Sequence, residues 1–408
     1  MRCRNCASPL RDTFLDLGFA PPSNAYLSET DLSCPELYYP LELKVCRECW
    51  LVQTGSGPGV TELFPSDYAY FSSVSSTWVE HARRYAEAII PRLHLSRDSL
   101  VIEIASNDGY LLKNFVTASV PCLGIEPTAC TADAAEKLGI AVIREFFGEA
   151  LARRLASQAM LADLIIGNNV MAHVPDINDF ARGLKVALKG GGTTTLEFPH
   201  LLRLIEQTQF DTVYHEHFSY LSLYTVSRVF AAAGLRVTDV EELSTHGGSL
   251  RVYGCHAEDR RPNSESVAAI LSAERRAGLR DVTVYRQFQN RANAVKDALL
   301  AFLLAQKREG RKVGAYGAAA KGNTLLNYAG IKRDLLPFVC DAAPSKQQRF
   351  LPGSHIPIVP PSALVESKPD LILILPWNIA DEITSQHAYI KDWGGQFFTA
   401  VPELRILK

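Results

Sequence analysis

Short apolar runs alternate with helix-like stretches twice along this chain, and that rhythm restricts its fold more than any other feature. The first series runs from WVEHARRYAEAII through SLVIEIASNDG, LLKNFV, CLGIEP, ADLIIGNN and DFARGLKVAL to GGTTTLEFP. The second begins at KVGAYGAAAKGNTLLNY and continues through LLPFVCD, IPIV and PDLILILPW. Runs of this kind are strands buried on both faces, and the helices between them supply the crossovers that parallel pairing requires. Between the two series, residues 264–308 are rich in Ala, Arg, Glu and Leu and read as one or two long helices. At about 150 residues per domain, a chain of 408 residues divides into two or three units. The expectation is an α/β protein in three parts: a small helix-poor module over residues 1–60, a doubly wound domain over 61–243, and a second α/β domain over 244–408.

The first part carries two CxxC knuckles, Cys3/Cys6 and Cys46/Cys49, with Cys34 in the loop between them. Two thiolates from each knuckle can close a tetrahedral shell around one zinc ion. A shell of four sulfurs leaves no position open for water, which marks a structural site. The competing reading is two unrelated redox or buried pairs. Cys34 is spare, and the other cysteines read as small core residues.

In the second part, Val101 to Gly109 form an apolar strand entering a tight polar turn, with Glu126 at the end of the following strand. A carboxylate at that place can accept both ribose hydroxyls of a nucleoside. The turn is not G-x-G-x-x-G: only Gly109 remains, so a pyrophosphate is harder to seat. S-adenosylmethionine has no phosphate, and its amino-acid end wants polar partners such as Asn107 and Asp108. Glu103, Ser106 and Asn168 complete the candidate cofactor set. An ordinary βα turn is the plain alternative.

On these motifs, together with NNVMAHVPD, YHEHFSY, HGGSLRVY and GAAAKGNTLLNY, the chain resembles the sugar C-methyltransferases that act on nucleotide-linked 4-keto-deoxyhexoses in antibiotic pathways. The resemblance spans essentially the whole chain. It implies a zinc-binding module, a central Rossmann-like class I methyltransferase domain, and a C-terminal Rossmann-like α/β domain that binds the sugar nucleotide. It also implies a glycine where this chain has Ala105, whose methyl group fits only if φ is negative there.

Tyr214-His215-Glu216-His217 places two of the ten histidines within four residues, and His173 follows the strand ending at Asn168 and Asn169. Strand ends of this kind line the ligand crevice of open α/β sheets. Methylating a carbon beside a ketone requires removing its acidified hydrogen and stabilising the enolate. A neutral imidazole suits the first task, and a Tyr hydroxyl, a second His or backbone donors suit the second. The resemblance assigns the base to His217 and places Tyr214, Glu216 and His173 at the active site. If the segment is a strand, His215 and His217 share a face, but no spacing suggests a third metal ligand. A polar contact between domains is the unremarkable reading of any one of these residues.

For the sugar nucleotide, His246, Gly248, Ser249 and Arg251 in THGGSLRVYG offer a backbone approach and a bidentate phosphate partner. Lys321, Asn323 and Thr324 open a helix after a small-residue turn, as a pyrophosphate cradle would. The turn does not match G-x-x-x-x-G-K-[ST], so ATP hydrolysis is not expected. Asp341 at the next strand end suits a ribose or base edge, and Lys346 a phosphate.

Formal charge is -2, and no Lys/Arg-rich aromatic stripe is present, which argues against nucleic acid as a partner. No apolar run reaches the roughly 18 residues of a membrane span, and MRCRNCASPL lacks a secretory apolar stretch, so a cytoplasmic protein is expected. No coiled-coil heptads or exposed apolar strip are legible, so a monomer is expected, with a dimer left open. The expected activity is C-methylation of a dTDP-linked 4-keto-deoxysugar at C3. The rivals are C5-methylation of a related sugar, a zinc-ribbon nucleic-acid methyltransferase, and a non-catalytic zinc module with a decayed cofactor pocket.

Overall fold

The computed structural model describes residues 1–55, 57–59, 63 and 71–407. The aromatic-serine stretch at residues 66–76 therefore lies partly outside the described residues. β1 (Asp12–Ala20), β2 (Tyr39–Val45) and β3 (Val52–Thr54) form an antiparallel meander. Alternation turns Phe14 and Leu43 inward, and Phe14 stacks on Phe288 with ring centroids 4.6 Å apart. Phe288 lies on the long helix Val282–Arg308, which follows a shorter helix at Glu265–Arg276; the Ala/Arg/Glu/Leu-rich stretch is thus two helices.

The central sheet contains β4 (Val101–Ile104), β5 (Cys122–Ile125), β6 (Ala141–Ile143), β7 (Ala162–Asn168) and β8 (Leu188–Pro199), all parallel. The chain then leaves this sheet. β9 (Ser219–Tyr220) pairs with β3 of the N-terminal meander before β10 (Leu235–Leu243) and β11 (Ser249–His256) return as an antiparallel edge. The order is β10-β11-β8-β7-β4-β5-β6. Consecutive strands turn outward in opposite directions from β4 and β7, which opens a crevice at their C-terminal ends. β11 was expected with the third part, yet it bonds to β8 and β10 on its two sides. The boundary anticipated after residue 243 therefore falls between two paired strands.

The last sheet holds β12 (Val313–Tyr316), β13 (Val339–Cys340), β14 (Ile358–Val359), β15 (Leu371–Ile374), β16 (Gln396–Thr399) and β17 (Arg405–Ile406), in the order β14-β13-β12-β15-β16-β17. All pairs but β16–β17 are parallel, so a second crevice opens beyond β12 and β15. The cores run across the sequence divisions. Phe14, Leu15 and Leu43 share one with Tyr285, Leu325 and Phe398, while Cys46, Cys49 and Leu51 share another with Phe180, Phe230 and Val252. Among the described residues, no helix is long and apolar enough to cross a membrane.

Candidate active site

The four predicted zinc ligands meet. The Sγ atoms of Cys3, Cys6, Cys46 and Cys49 all lie within 4.8 Å of one another, with Cys3 and Cys49 3.5 Å apart and Cys6 and Cys46 likewise 3.5 Å. Tetrahedral zinc with Zn–S bonds of about 2.3 Å sets sulfurs roughly 3.8 Å apart, so the cluster fits that ion. Gln53 Nε2 donates to Cys3 Sγ at 3.2 Å, as partners of thiolate ligands do. Cys34 stands outside the cluster and is exposed.

At the β4 turn, Glu126 accepts backbone N–H groups from Asn107 (3.0 Å) and Thr128 (2.9 Å). Asn107 Oδ1 accepts from Ser72 N–H and Asp108 Oδ2 from Ser73 N–H, so the chain before the helix Ser76–Arg92 lies against this turn. Glu103 Oε2, Ser106 Oγ, Asp108 Oδ1 and both amide atoms of Asn168 are buried without a hydrogen-bond partner among the described residues. Buried polar atoms in that condition mark a place where a polar ligand belongs. Burial, and then the charges of Glu126 and Asp108, push Glu103 well above the usual carboxylate range. Carboxylates at this strand end suit the α-ammonium group and the ribose hydroxyls of S-adenosylmethionine, a ligand that brings no phosphate. Gly109 has φ +77°, and a Cβ there would come 2.5 Å from Ile140.

Ala105 departs from expectation. Its φ is +54°, in the left-handed region where a methyl group is strained, because the turn must reverse directly after β4 to bring Asn107 N–H to Glu126. Ala105→Gly is expected to raise the urea midpoint of unfolding by an amount equivalent to about 1 kcal/mol; a lowered midpoint would show that the turn does not need this conformation.

The histidine segment is a turn rather than a strand, so His215 and His217 do not share a face. His217 N–H closes the turn onto the Tyr214 carbonyl at 3.0 Å. The His217 ring packs 4.0 Å from the Tyr214 ring and 4.6 Å from that of His173 (centroid distances). Its Nδ1 lies 3.0 Å from the Thr212 carbonyl, which fixes Nδ1 as the donor and leaves the lone pair on Nε2. Burial, then His173, hold His217 well below the ordinary histidine range, and burial pushes His173 down to about 4. Glu216 is buried and accepts from Asn24 Nδ2 at 2.7 Å, joining the N-terminal part to the turn. His215 instead sets its ring edge-on to Tyr39 and lines a separate cavity of about 390 Å³ with Arg4, Pro175 and Phe218.

Of the residues expected at the sugar nucleotide, His246 joins the histidine group. Its Nε2 is 3.1 Å from Asn169 Nδ2 and its ring is 5.3 Å from Trp78. The others are engaged by partners within the protein. Arg251 is committed to carboxylates: Nε is 2.7 Å from Glu197 Oε1, Nη1 is 2.9 Å from Glu241 Oε2, and Nη2 also bonds Glu197, because β11 sets it between acidic residues of β8 and β10. Ser249 Oγ donates to the Thr245 carbonyl, and Gly248, at φ +115°, packs on Arg203. Thr324 Oγ1 donates to the Val213 carbonyl at 2.8 Å, and buried Asn323 lies against Ser23. Asp341 caps two backbone N–H groups, of Ala318 and Ala343, while Lys346 donates to the Ala318 carbonyl. The small-residue turn is thus braced from inside rather than open as a cradle. Lys321 alone projects elsewhere, with Nζ 2.6 Å from Asn378 Oδ1 and 4.8 Å from the Trp377 ring.

Sequence reasoning missed His81, Glu197, Asp211 and Trp377. His81 Nε2 meets Glu197 Oε2 at 2.9 Å and stacks on Trp78; Trp377 Nε1 donates to Asp211 Oδ2 at 2.7 Å. Glu197 was legible as the one acid in the strand run TTTLEFP, whereas Asp211 and Trp377 had no motif around them.

Comparison with known proteins assigns the three parts of the chain. A methyltransferase zinc-binding domain model matches residues 3–64, a methyltransferase domain model residues 78–240, and a C-methyltransferase C-terminal domain model residues 244–402. The C-methyltransferase NovU of Streptomyces niveus is 33% identical over 408 residues, covering 99% of this chain and 96% of that protein. Among solved structures, an S-adenosylmethionine-dependent methyltransferase of Clostridium acetobutylicum aligns at 10% identity over 46% of this chain and 92% of its own (TM-score 0.36). The glycopeptide N-methyltransferase MtfA aligns at 12% identity over 43% and 96% (TM-score 0.35). The chain belongs to the C-methyltransferase family, S-adenosylmethionine-dependent enzymes with a zinc-binding module ahead of a Rossmann-like methyltransferase domain and an α/β domain after it.

Proposed function

We propose that the protein methylates C3 of a dTDP-linked 4-keto-deoxysugar in the making of an antibiotic deoxysugar, with His217 as the base. It would act as a cytoplasmic monomer. One observation supports this reading above the rest: an imidazole whose Nδ1 is committed to the Thr212 carbonyl, kept neutral by burial, beside the β7 end and next to Tyr214 and His173. A neutral Nε2 takes the hydrogen from the carbon flanking the ketone, and the electron pair moves onto the carbonyl oxygen. Tyr214 and His173, packed against the His217 ring, would donate to that oxygen. S-adenosylmethionine, held at Glu103, Asp108, Glu126 and Asn168, supplies an electrophilic methyl group. The four-cysteine site would hold zinc away from the chemistry.

The decisive assay is mass spectrometry of products across a panel of dTDP-4-keto-deoxyhexoses, run beside cofactor-free incubations in deuterated water. Methylation with deuterium uptake at C3 is expected. Uptake at C5 alone would move the reaction to the other flank of the ketone, and neither product nor uptake with any sugar of the panel would overturn the reading.

A further inference from the structure

The enolate needs a counter-charge, and the histidines are neutral. Lys321 answers that need. It sits in the first turn of the helix Ala320–Tyr328, after β12, and Thr324, three residues on and so on the same face, bonds the Val213 carbonyl beside Tyr214. That contact turns the Lys321 face toward the 211–217 segment. Trp377 and Asn378 follow β15, so the lysine and its two partners stand at the crevice of the last sheet. Beneath them Asp211 is fully buried, bonded through Oδ2 to Trp377 Nε1 and with no partner for Oδ1 among the described residues. Gly247, next to His246, packs so closely on Trp377 that a Cβ would come within 2.3 Å of the indole. The indole thus touches both the loop of His246 and the carboxylate.

Resting on the reading above, we propose that Lys321 is a catalytic residue: its ammonium, held over Trp377 and Asn378 and balanced by the Asp211 carboxylate, faces the C4 carbonyl oxygen and takes up the negative charge that develops there. The C–H proton passes to His217 Nε2, the electron pair moves into the C–C–O system, and Lys321 keeps its own protons. Burial lowers Lys321 and raises Asp211 to about 6, and the lysine's charge adds to the lowering of both His217 and His246. Asp211 is a positioning residue, acting only through the lysine.

The test is the cofactor-free exchange of a dTDP-4-keto-deoxyhexose in deuterated water, paired with calorimetry of dTDP alone. Lys321→Gln should slow exchange at saturating sugar by about 100-fold or more. Lys321→Arg, which keeps the charge, should recover at least about a tenth of the rate, and both variants should bind dTDP and S-adenosylhomocysteine as the parent does. Unchanged exchange in Lys321→Gln would overturn the proposal. So would a loss of dTDP affinity with the saturated exchange rate intact, which would make Lys321 a phosphate ligand. Failure of the unaltered protein to exchange any such sugar would instead remove the sugar reading on which this one rests.

Discussion

His217→Gln is expected to lower kcat by about 10²–10⁴-fold, the range that a positioned general base contributes, with no loss of S-adenosylhomocysteine affinity. The two halves of that outcome have separate structural grounds. His217 touches Thr212, Tyr214, His173 and Tyr220, whereas the cofactor groups Glu103, Asp108 and Glu126 are placed by β4, the turn after it and the end of β5. The pH profile carries the same information. Only the neutral imidazole accepts a proton, and burial beside His173 depresses its proton affinity. The acidic limb of kcat/KM should then fall below the ordinary histidine pKa of about 6.5, with a plateau above it. A limb at or above that value, or a His217→Gln enzyme that turns over normally, would remove His217 from the base role.

Local chemistry was legible in the sequence, and long-range partnership was not. The CxxC pairs, the β4 turn and the Tyr214–His217 segment each announce themselves within a few residues, because their geometry is fixed by neighbours in the chain. Arg251 shows the limit. Beside two glycines it has the look of a phosphate ligand, but cross-strand register on both sides of β11 places Glu197 and Glu241 against it, and register is invisible without the fold. Thr324 shows the same limit, because its partner Val213 is met only when the last sheet packs on the rest, whereas Asp341 and Lys346 take partners within the last domain, at Ala343 and Ala318. Ala105 fails differently. Nothing in a strand-turn sequence reports the sign of φ, and here the departure from glycine is strained rather than neutral.

Cys46→Ser should cost the protein its zinc and, with it, both thermal stability and turnover. Structural zinc sites contribute about 10–16 kcal/mol of apparent binding free energy, all of it available to folding when no site survives in the unfolded chain. Here the knuckle Cys46/Cys49 ends where β3 begins, and β3 pairs with β9 in the register Val52↔Tyr220 and Gln53↔Ser219. Thr54 N–H donates to the Phe218 carbonyl at 3.1 Å, and Arg4, between Cys3 and Cys6, donates to the same carbonyl at 3.0 Å. Phe218 follows His217 directly, so the residues that hold the ion also hold the chain one step past the base. A cluster that loosens should let the Tyr214–His217 turn drift, and a displacement of about 1 Å at a reacting group can cost on the order of 100-fold in rate. Metal analysis should find one zinc per unaltered chain and less in the variant, with a lower melting temperature. Chelation of the unaltered protein should reproduce the loss, and added zinc should reverse it. A Cys46→Ser protein that melts and turns over like its parent would mean that the four sulfurs only fill space, and that β9 is held by its own pairing with β3.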